Sequence, residues 1–297
     1  MLHMTLRDAV LAAAGRDGVA LMGICNVTPD SFSDGGLAFG AQAARARIDE
    51  LIREGATVVD IGAESTRAGA PRMSAAEQLD RIGDALRYAS ARVLTSVDTT
   101  RAEVAAEALR QGASMVNDVS MGADDAVALS ALVSRTGAAW CLSHARGTQS
   151  SMSGFGGYDE SAYGDNVVAT VQAELRTAMN QVVGLGVDAR ALLPDPGLGF
   201  DKSGAHSMRV LECLPALSKA FDGWLLVGAS RKSFLNEVAQ HKPAPSERLG
   251  ASIAAALWAR ESGVALVRVH DVGQTLHALR LSARLHAARS DQEHAHA

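Results

Sequence analysis

The sequence lacks the features of several protein classes. No stretch reaches the roughly 18 consecutive apolar residues of a membrane span, and no basic segment followed by a long apolar run stands near the start. Lysine and arginine are scattered among acidic residues, and the formal net charge is −5, which argues against nucleic acid as a partner. We therefore expect a cytoplasmic protein that binds neither a membrane nor nucleic acid.

Cysteine and aromatic residues are also few. The three cysteines, Cys25, Cys141 and Cys213, are an odd number without the spacing of metal ligands, and their apolar surroundings favour buried free thiols in a reducing compartment. Aromatic residues make up only 4% of the chain, whereas hydrophobic residues make up 47% and are mostly Ala, Val and Leu. Such a composition suits helices packed closely around a parallel sheet.

Short apolar runs alternate with longer helical patterns along the chain. The predicted strands are Val19–Ile24, Thr57–Ile61, Val93–Val97, Ser114–Asn117, Ala138–Leu142, Ala191–Pro194, Trp224–Val227 and Val264–Val269. The predicted helices are Ala41–Arg53, Ala75–Ala89, Ala102–Gln111, Asp124–Arg135, Glu160–Val183, Ser207–Ala220, Glu247–Glu261 and Gly273–Ala288. This alternation predicts a single α/β domain, a (β/α)8 TIM barrel, over residues 18–289. We expect residues 1–17 to form a lead-in helix or hairpin that closes the bottom of the barrel, and residues 290–297 to be a flexible tail.

Local signals support several helix boundaries. Ser74 followed by Glu77 predicts a capping box at the start of one helix. Gly112 and Gly263 stand directly after helical patterns, where a residue in the left-handed conformation commonly ends a helix.

Polar side chains follow every predicted strand, at the end where barrels of this kind carry their active sites. In chain order they are Asn26, Glu64 to Arg67, Asp98, Asn117 with Asp118, His144 with Arg146, Asp195, Ser230 to Lys232, and Arg268 with His270. Asp98 or Asp118 alone could equally be a cap or a turn former. Polar groups at all eight strand ends instead indicate a ligand with a donor-rich polar head and an anionic tail.

Several of these segments form longer motifs. Residues 26–36 read NVTPDSFSDGG, and residues 63–70 read AESTRAGA. They are followed by SVDTTR at 96–101, VNDVS at 116–120, DPGLGFDK at 195–202, GASRKSFL at 228–235, ERLGAS at 247–252 and RVHDV at 268–272. In this order they resemble the motifs of the dihydropteroate synthase family. NVTPDSFSDGG and SRKSF are highly specific to that family, whereas a short piece such as VND is weak evidence on its own.

The resemblance implies a transferase of folate biosynthesis. Such an enzyme joins 6-hydroxymethyl-7,8-dihydropterin pyrophosphate to p-aminobenzoate, releases pyrophosphate and forms 7,8-dihydropteroate, with sulfonamides as competitors. The reaction implied is SN1-like, so that cleavage of the C–O bond runs ahead of attack by the aromatic amine and no nucleophilic side chain is required. The resemblance further implies Mg²⁺ as the cofactor and a homodimer, formed through helices near the C-terminus.

The resemblance also implies roles for individual residues. The implied pterin-binding residues are Asp98, Asn117, Asp195, Lys232 and Arg268. The implied pyrophosphate site consists of Asn26, Arg67, Arg268 and His270, with Asn26 as the ligand of Mg²⁺. The implied p-aminobenzoate side consists of Phe32, Ser65, Thr66, Phe200 and Ser233. The chemistry is consistent with these roles, because an ionised carboxylate can accept two hydrogen bonds from a pterin edge and Mg²⁺ usually takes few protein ligands.

The chain departs from the family pattern at four positions. Ala68, Ala145, Gln149 and Asp201 stand where Pro, Met, Pro and Gly are usual. Ala68 bears on the shape of the p-aminobenzoate pocket and on sulfonamide affinity, and Asp201 adds a negative charge near the rim. Two alternatives stay open: a folate-dependent methyltransferase barrel, and a pterin-binding paralogue without synthase turnover. His144 and Arg146 could form a salt-linked pair at the rim without a catalytic role.

Overall fold

Eight parallel strands form one sheet in the computed structural model, which describes residues 5–27, 36–64, 73–146, 160–239 and 241–295. The strands are β1 Ala20–Asn26, β2 Val58–Gly62, β3 Leu94–Asp98, β4 Met115–Asp118, β5 Ala139–Ser143, β6 Leu192–Asp195, β7 Leu226–Val227 and β8 Leu266–Val269. The helices are α1 Leu6–Asp17, α2 Gly36–Glu54, α3 Ala75–Ser90, α4 Ala102–Arg110, α5 Ala126–Thr136, α6 Val167–Gly184, α7 Gly204–Glu212, α8 Leu214–Ala220, α9 Leu249–Glu261 and α10 Val272–Ala295.

The sheet is a nearly closed barrel. Its strand order is β6-β5-β4-β3-β2-β1-β8-β7, so that β6 and β7 are the two edges of the hydrogen-bonded ladder. The seam between these edges is bridged by the indole of Trp224, whose Nε1 donates to the carbonyl oxygen of Leu192 at 2.8 Å. The (β/α)8 barrel predicted from the alternation of strands and helices is therefore confirmed.

Two layers of apolar side chains hold the barrel together. The larger layer lies between the strands and the surrounding helices. The smaller one fills the barrel, where Leu6, Val10 and Ala13 of α1 contact inward-facing strand residues such as Met22 and Met115. The lead-in segment is thus a helix rather than a hairpin, and it covers one end of the barrel, which leaves the C-terminal ends of the strands for a ligand site. No described helix has the length and apolar content of a membrane span.

Several helix boundaries agree with their sequence signals. Ser74 and Glu77 form the predicted capping box, and Gly112 and Gly263 have positive φ angles of 100° and 76°. The predicted helix over 207–220 is wrong in one respect, because α7 ends at Glu212 and a separate helix, α8, carries a proline in its first turn. Proline lacks the N–H that a continuous helix would need there.

Other boundaries also differ from the pattern. The segment Glu160–Tyr163 is a separate 3₁₀ turn, and α6 begins only after Asn166, whose side chain accepts a hydrogen bond from the Ala169 N–H. Helix α10 continues to Ala295, beyond the predicted end at Ala288. Of the three free thiols, Cys25 and Cys141 are buried, whereas Cys213 is partly exposed.

Candidate functional site

The ends of β1 to β4 bring functional side chains into one row across the sheet. In the ladder Asn26 pairs with Gly62, Gly62 with Asp98, and Asp98 with Asn117. A Cβ atom on Gly62 would lie 3.3 Å from Asp98 Cβ and 3.6 Å from Asn26 Oδ1. The absence of a side chain at Gly62 therefore keeps open the space that Asn26 and Asp98 share.

Arg268 reaches from β8 to β2 and β3 at the top of the barrel. Its Nε donates to Asp60 Oδ2 at 2.7 Å and its Nη2 donates to Asp98 Oδ2 at 2.9 Å. The same Asp60 oxygen accepts a hydrogen bond from Asn117 Nδ2 at 3.1 Å. Burial works against the charged guanidinium, but the carboxylates of Asp60 and Asp98 raise the pKa of Arg268, which keeps it ionised.

The carboxylates in this cluster have unusual electrostatics. Burial raises the pKa of Asp98 above its ordinary value; Arg268 opposes this shift and the neighbouring Asp60 adds to it. Among the residues that the structure describes, the buried oxygens Asp60 Oδ1 and Asn117 Oδ1 have no hydrogen-bond partner. Because buried acceptors are normally satisfied, these two oxygens are suited to accept hydrogen bonds from a bound ligand.

Asp195 and Lys232 form a second polar group across the barrel mouth. The Gly197 N–H donates to Asp195 Oδ1 at 2.7 Å, and the Ser143 hydroxyl donates to Oδ2 at 3.0 Å. Burial raises the pKa of Asp195, and Lys232 opposes that shift. Burial also disfavours the charged form of Lys232 and lowers its pKa to about 8, although Asp195 favours that charged form. Lys232 Nζ lies 4.3 Å from the centroid of the Phe200 ring.

His270 is a neutral member of the rim. Burial, together with Arg268 and Arg231, lowers the pKa of His270 to about 3. The hydroxyl of Ser230 accepts the backbone N–H of His270 at 3.2 Å and lies 3.0 Å from its Nδ1. The hydroxyl can therefore donate to Nδ1, which leaves Nε2 as an N–H donor. His270 offers a ligand a hydrogen bond rather than a positive charge.

The described part of the chain brings eight predicted site residues together at the barrel mouth. They are Asn26, Asp98, Asn117, Asp195, Phe200, Lys232, Arg268 and His270. Ser233 follows Lys232 at the start of a 3₁₀ turn and is partly exposed. The predicted residues Phe32, Ser65, Thr66 and Arg67, and the departures Ala68 and Gln149, lie outside the described residues.

The remaining departures are internal. Ala145 is buried. Asp201 is also buried, has a positive φ of 46°, and its Oδ2 accepts a hydrogen bond from the Arg146 N–H at 3.1 Å. The hydroxyl of Tyr163 donates to the Asp201 carbonyl at 2.8 Å. The Asp201 carboxylate is thus bound to the protein's own backbone instead of facing an anionic ligand as a solvated charge.

Comparisons with known proteins identify the family. A family model described as pterin binding enzyme matches residues 22–270. The chain is 41% identical to the dihydropteroate synthase of Mycobacterium leprae over 276 residues, which cover 91% of this chain and 94% of that protein. The solved structure of Xanthomonas albilineans dihydropteroate synthase with 4-aminobenzoic acid matches with a TM-score of 0.80 at 37% identity, covering 91% of this chain and 93% of that one. The same enzyme with 7,8-dihydropteroate matches with a TM-score of 0.77 at 35% identity and similar coverage, 91% and 94%.

The chain belongs to the dihydropteroate synthase family. The resemblance inferred from the motifs is therefore confirmed, and the chain is a transferase of this family.

One residue of the dihydropteroate synthase site was not predicted. Asp60 lies inside the apolar strand VVDIG, residues 58–62, and is completely buried. A carboxylate among core positions was the available signal, since buried charges are rarely left without a partner or a function. Asp60 precedes the end of its strand by two positions, whereas the residues predicted for the site lie at or after the strand ends.

A second unpredicted group lies beside Asp195 in this dihydropteroate synthase barrel. Lys202 is fully buried, and its Nζ lies 2.8 Å from His144 Nδ1. His144 and Arg146 are linked through Glu174 of α6: His144 Nε2 lies 2.8 Å from Glu174 Oε2, and Arg146 Nη2 lies 2.6 Å from Glu174 Oε1. The predicted salt-linked pair is therefore a three-residue group anchored on a helix.

Asp118 in β4 has a structural role. Its carboxylate accepts hydrogen bonds from the N–H and hydroxyl of Ser120, from the Gly122 N–H, and from the Trp140 indole at 3.3 Å. With these contacts it shapes the turn after β4 rather than facing the barrel mouth.

Proposed function

We propose that this chain is an active dihydropteroate synthase of the cytoplasm, which converts 6-hydroxymethyl-7,8-dihydropterin pyrophosphate and p-aminobenzoate to 7,8-dihydropteroate and pyrophosphate. The observation that carries the proposal is the pair of buried carboxylates, Asp98 and Asp195, that face one barrel mouth together with Arg268 and Lys232. The complexes of the Xanthomonas albilineans enzyme with 4-aminobenzoic acid and with 7,8-dihydropteroate support the same substrates and product here.

The pterin head is assigned to Asp98, Asn117, Asp195, Lys232 and Arg268. Asp195 is held by Gly197 and Ser143, and a carboxylate oxygen can accept further hydrogen bonds from the amino group and ring N–H of a pterin. Asn117 donates through Nδ2 to Asp60, which orients its Oδ1 as an acceptor. The planar guanidinium of Arg268 is held by two carboxylates and can stack on an aromatic ring while it binds an anion.

The pyrophosphate tail is assigned to Asn26, Arg67, Arg268 and His270. Among the described residues, no group of three His, Cys, Asp or Glu side chains could hold a metal by itself. The amide oxygen of Asn26, at the space above Gly62, fits Mg²⁺ as one protein ligand beside substrate phosphates and water. When bound there, Mg²⁺ would supply positive charge that stabilises the leaving pyrophosphate.

The chemistry that these residues support is an SN1-like substitution. The C–O bond to pyrophosphate breaks ahead of C–N bond formation, and the carboxylates of Asp98 and Asp195 stabilise the positive charge that develops on the pterin methylene. Arg268 and the neutral His270 donate hydrogen bonds to the leaving pyrophosphate. The nitrogen of p-aminobenzoate then forms the C–N bond and releases a proton, so that no nucleophilic side chain is needed.

The p-aminobenzoate side is assigned to Phe32, Ser65, Thr66, Phe200 and Ser233, with sulfonamides as competitors. Phe200 supports this assignment because its ring packs beside Lys232 at the mouth of the barrel. We also infer a homodimer through the C-terminal helices, since Trp258, Leu281 and Leu285 expose 38%, 53% and 62% of their surface on α9 and α10.

Product formation tests the proposal. The purified chain is incubated with the pterin pyrophosphate, p-aminobenzoate and Mg²⁺, and dihydropteroate is measured by mass spectrometry. We expect product with the wild type and with Asp165→Asn, a control at an exposed carboxylate, and little or none with Asp195→Asn. Pterin binding without product would favour the paralogue without turnover, and methyl transfer from methyl-folate would favour the methyltransferase.

A further inference from the structure

We propose that Lys202 is a positioning residue that holds the loop between Asp195 and Phe200 in its active shape, with His144 and Glu174 holding Lys202 in turn. The expected effect of Lys202 on substrate binding rests on the proposed function, because this loop carries Asp195 and Phe200. The expected effect of Lys202 on the shape of the loop does not depend on that function.

Lys202 is surrounded by acceptors. Its Nζ lies 2.8 Å from His144 Nδ1 and donates to the carbonyl oxygens of Gly197 at 3.0 Å and Phe200 at 3.1 Å. Burial lowers the pKa of Lys202 to about 7, and the carboxylates of Asp195 and Asp201 oppose that shift. A fourth acceptor, the carbonyl oxygen of His144, lies farther away at 3.4 Å. The three nearer acceptors require three N–H donors, and only the ammonium form has them.

The loop that Lys202 contacts has a demanding backbone. Gly197, Gly199 and Asp201 have positive φ angles of 63°, 81° and 46°. A Cβ atom on Gly197 would lie 1.9 Å from the carbonyl oxygen of His144, so that the two backbones are in close contact. Glycine adopts such angles readily, whereas an aspartate with a positive φ persists only where the surroundings hold it. The two carbonyls bound by Lys202, of Gly197 and Phe200, enclose Leu198 and Gly199.

The same loop sets three features of the proposed site. The N–H of Gly197 donates to Asp195 Oδ1 at 2.7 Å, while the carbonyl of Gly197 accepts from Lys202. The carbonyl of Leu198 accepts from Lys232. The ring of Phe200 packs beside the Lys232 ammonium. Loss of the Lys202 contacts would therefore change three things together: the orientation of Asp195, the Leu198 carbonyl that accepts from Lys232, and the position of Phe200.

His144 and Glu174 support Lys202 from the outside. Burial lowers the pKa of His144 to about 4, so the ring is neutral at pH 7. Its Nδ1 can then accept from Lys202 while Nε2 donates to Glu174 Oε2 at 2.8 Å. Burial alone would raise the pKa of Glu174, but hydrogen bonds from His144 and Arg146 lower it to about 2. A hydrogen-bonded chain thus runs from α6 to the loop.

The test replaces the ammonium by an apolar group of similar length, in Lys202→Met. The matched control is Lys219→Met, at an exposed lysine of α8. Both variants are labelled with 4-fluorophenylalanine, and the fluorine resonance of Phe200, one of six phenylalanines, is assigned from its loss in Phe200→Leu. Calorimetry gives the Kd for the pterin pyrophosphate, and thermal unfolding shows that all measurements are made on folded protein.

We expect the Phe200 resonance of Lys202→Met to shift or broaden, and the Kd to rise tenfold or more, with neither change in Lys219→Met. A residue that only stabilised the fold would lower Tm and leave both readings unchanged in folded protein, which would overturn the proposal. A shifted resonance with an unchanged Kd would overturn the link to the substrate site.

Glu174→Gln provides a second route if Lys202→Met does not fold. Glu174 is partly exposed, and glutamine keeps its shape while removing its charge, so we expect the same changes at smaller size. Unchanged readings in this variant would then overturn the proposal. If wild-type protein makes no dihydropteroate, the proposed function fails, whereas the Phe200 resonance still decides the role of Lys202.

Discussion

The carboxylate of Asp60 holds the guanidinium of Arg268, with 2.7 Å between Oδ2 and Nε, although their strands β2 and β8 lie on opposite sides of β1. Asp60 also accepts the hydrogen bond that orients Asn117. One buried carboxylate therefore positions two residues that are assigned to the pterin.

Replacing Asp60 with Asn should weaken both contacts. We expect the free energy of unfolding to fall by about 3 kcal/mol, the order found when a buried ion pair loses one partner. The Kd for the pterin should also rise more than tenfold, because Arg268 and Asn117 lose their orientation. Urea denaturation and calorimetry measure the two effects, with Asp80→Asn on the exposed face of α3 as the control. An unchanged Kd would show that Asp60 does not position these residues.

Replacing Asp195 with Asn should weaken pterin binding by well over tenfold. The carboxylate is proposed to accept two hydrogen bonds from the pterin, and each hydrogen bond to a charged group contributes about 1.5–3 kcal/mol. Since about 1.4 kcal/mol corresponds to a factor of ten, even one lost bond is measurable by calorimetry. The same Kd in both proteins would remove Asp195 from the pterin site.

The activity should depend on the ionisation of Asp98. Burial raises the pKa of Asp98, so the carboxyl group becomes neutral at a pH above the ordinary value for aspartate, about 4. A neutral group cannot stabilise a cation, and kcat/KM for the pterin substrate, which reports the free enzyme, should fall below that pKa with a one-proton slope. Asp98→Asn should be much less active and should lack this acidic limb. A wild-type profile that is flat down to about pH 5 would contradict the assignment.

Replacing Asn26 with Ala should raise the Mg²⁺ concentration needed for half-maximal rate. The variant loses the one neutral oxygen ligand proposed for the ion at the end of β1. The rate is titrated with Mg²⁺ for wild type and variant in parallel. Full wild-type turnover in chelator, with the absence of metal verified, would refute the requirement for Mg²⁺.

Much of the fold and of the rim could be predicted because the signals are local. Apolar runs of strand length and helical patterns are read within about 20 residues. A polar residue at a strand end is brought near the barrel mouth, although its local contacts decide whether it faces the mouth, as Asp118 shows. Asn26, Asp98, Asn117 and Asp195 were found in this way.

The other features depend on partners that are far apart in the sequence. Asp60 meets Arg268 only because the register of β2, β1 and β8 brings them together. Glu174 meets His144 only because α6 packs with Glu174 toward the end of β5. The neutral state of His270 results from burial together with Arg268 and Arg231. The segment RVHDV contains Arg268, but it reveals neither the burial nor the approach of Arg231.

The most direct measurement is the release of pyrophosphate from the pterin pyrophosphate, followed with and without p-aminobenzoate in the presence of Mg²⁺. We expect one pyrophosphate for each dihydropteroate formed, with a rate at least about tenfold lower when p-aminobenzoate is omitted. Absence of release, or release at the same rate with and without p-aminobenzoate and no dihydropteroate formed, would contradict the proposal that this barrel is a working dihydropteroate synthase.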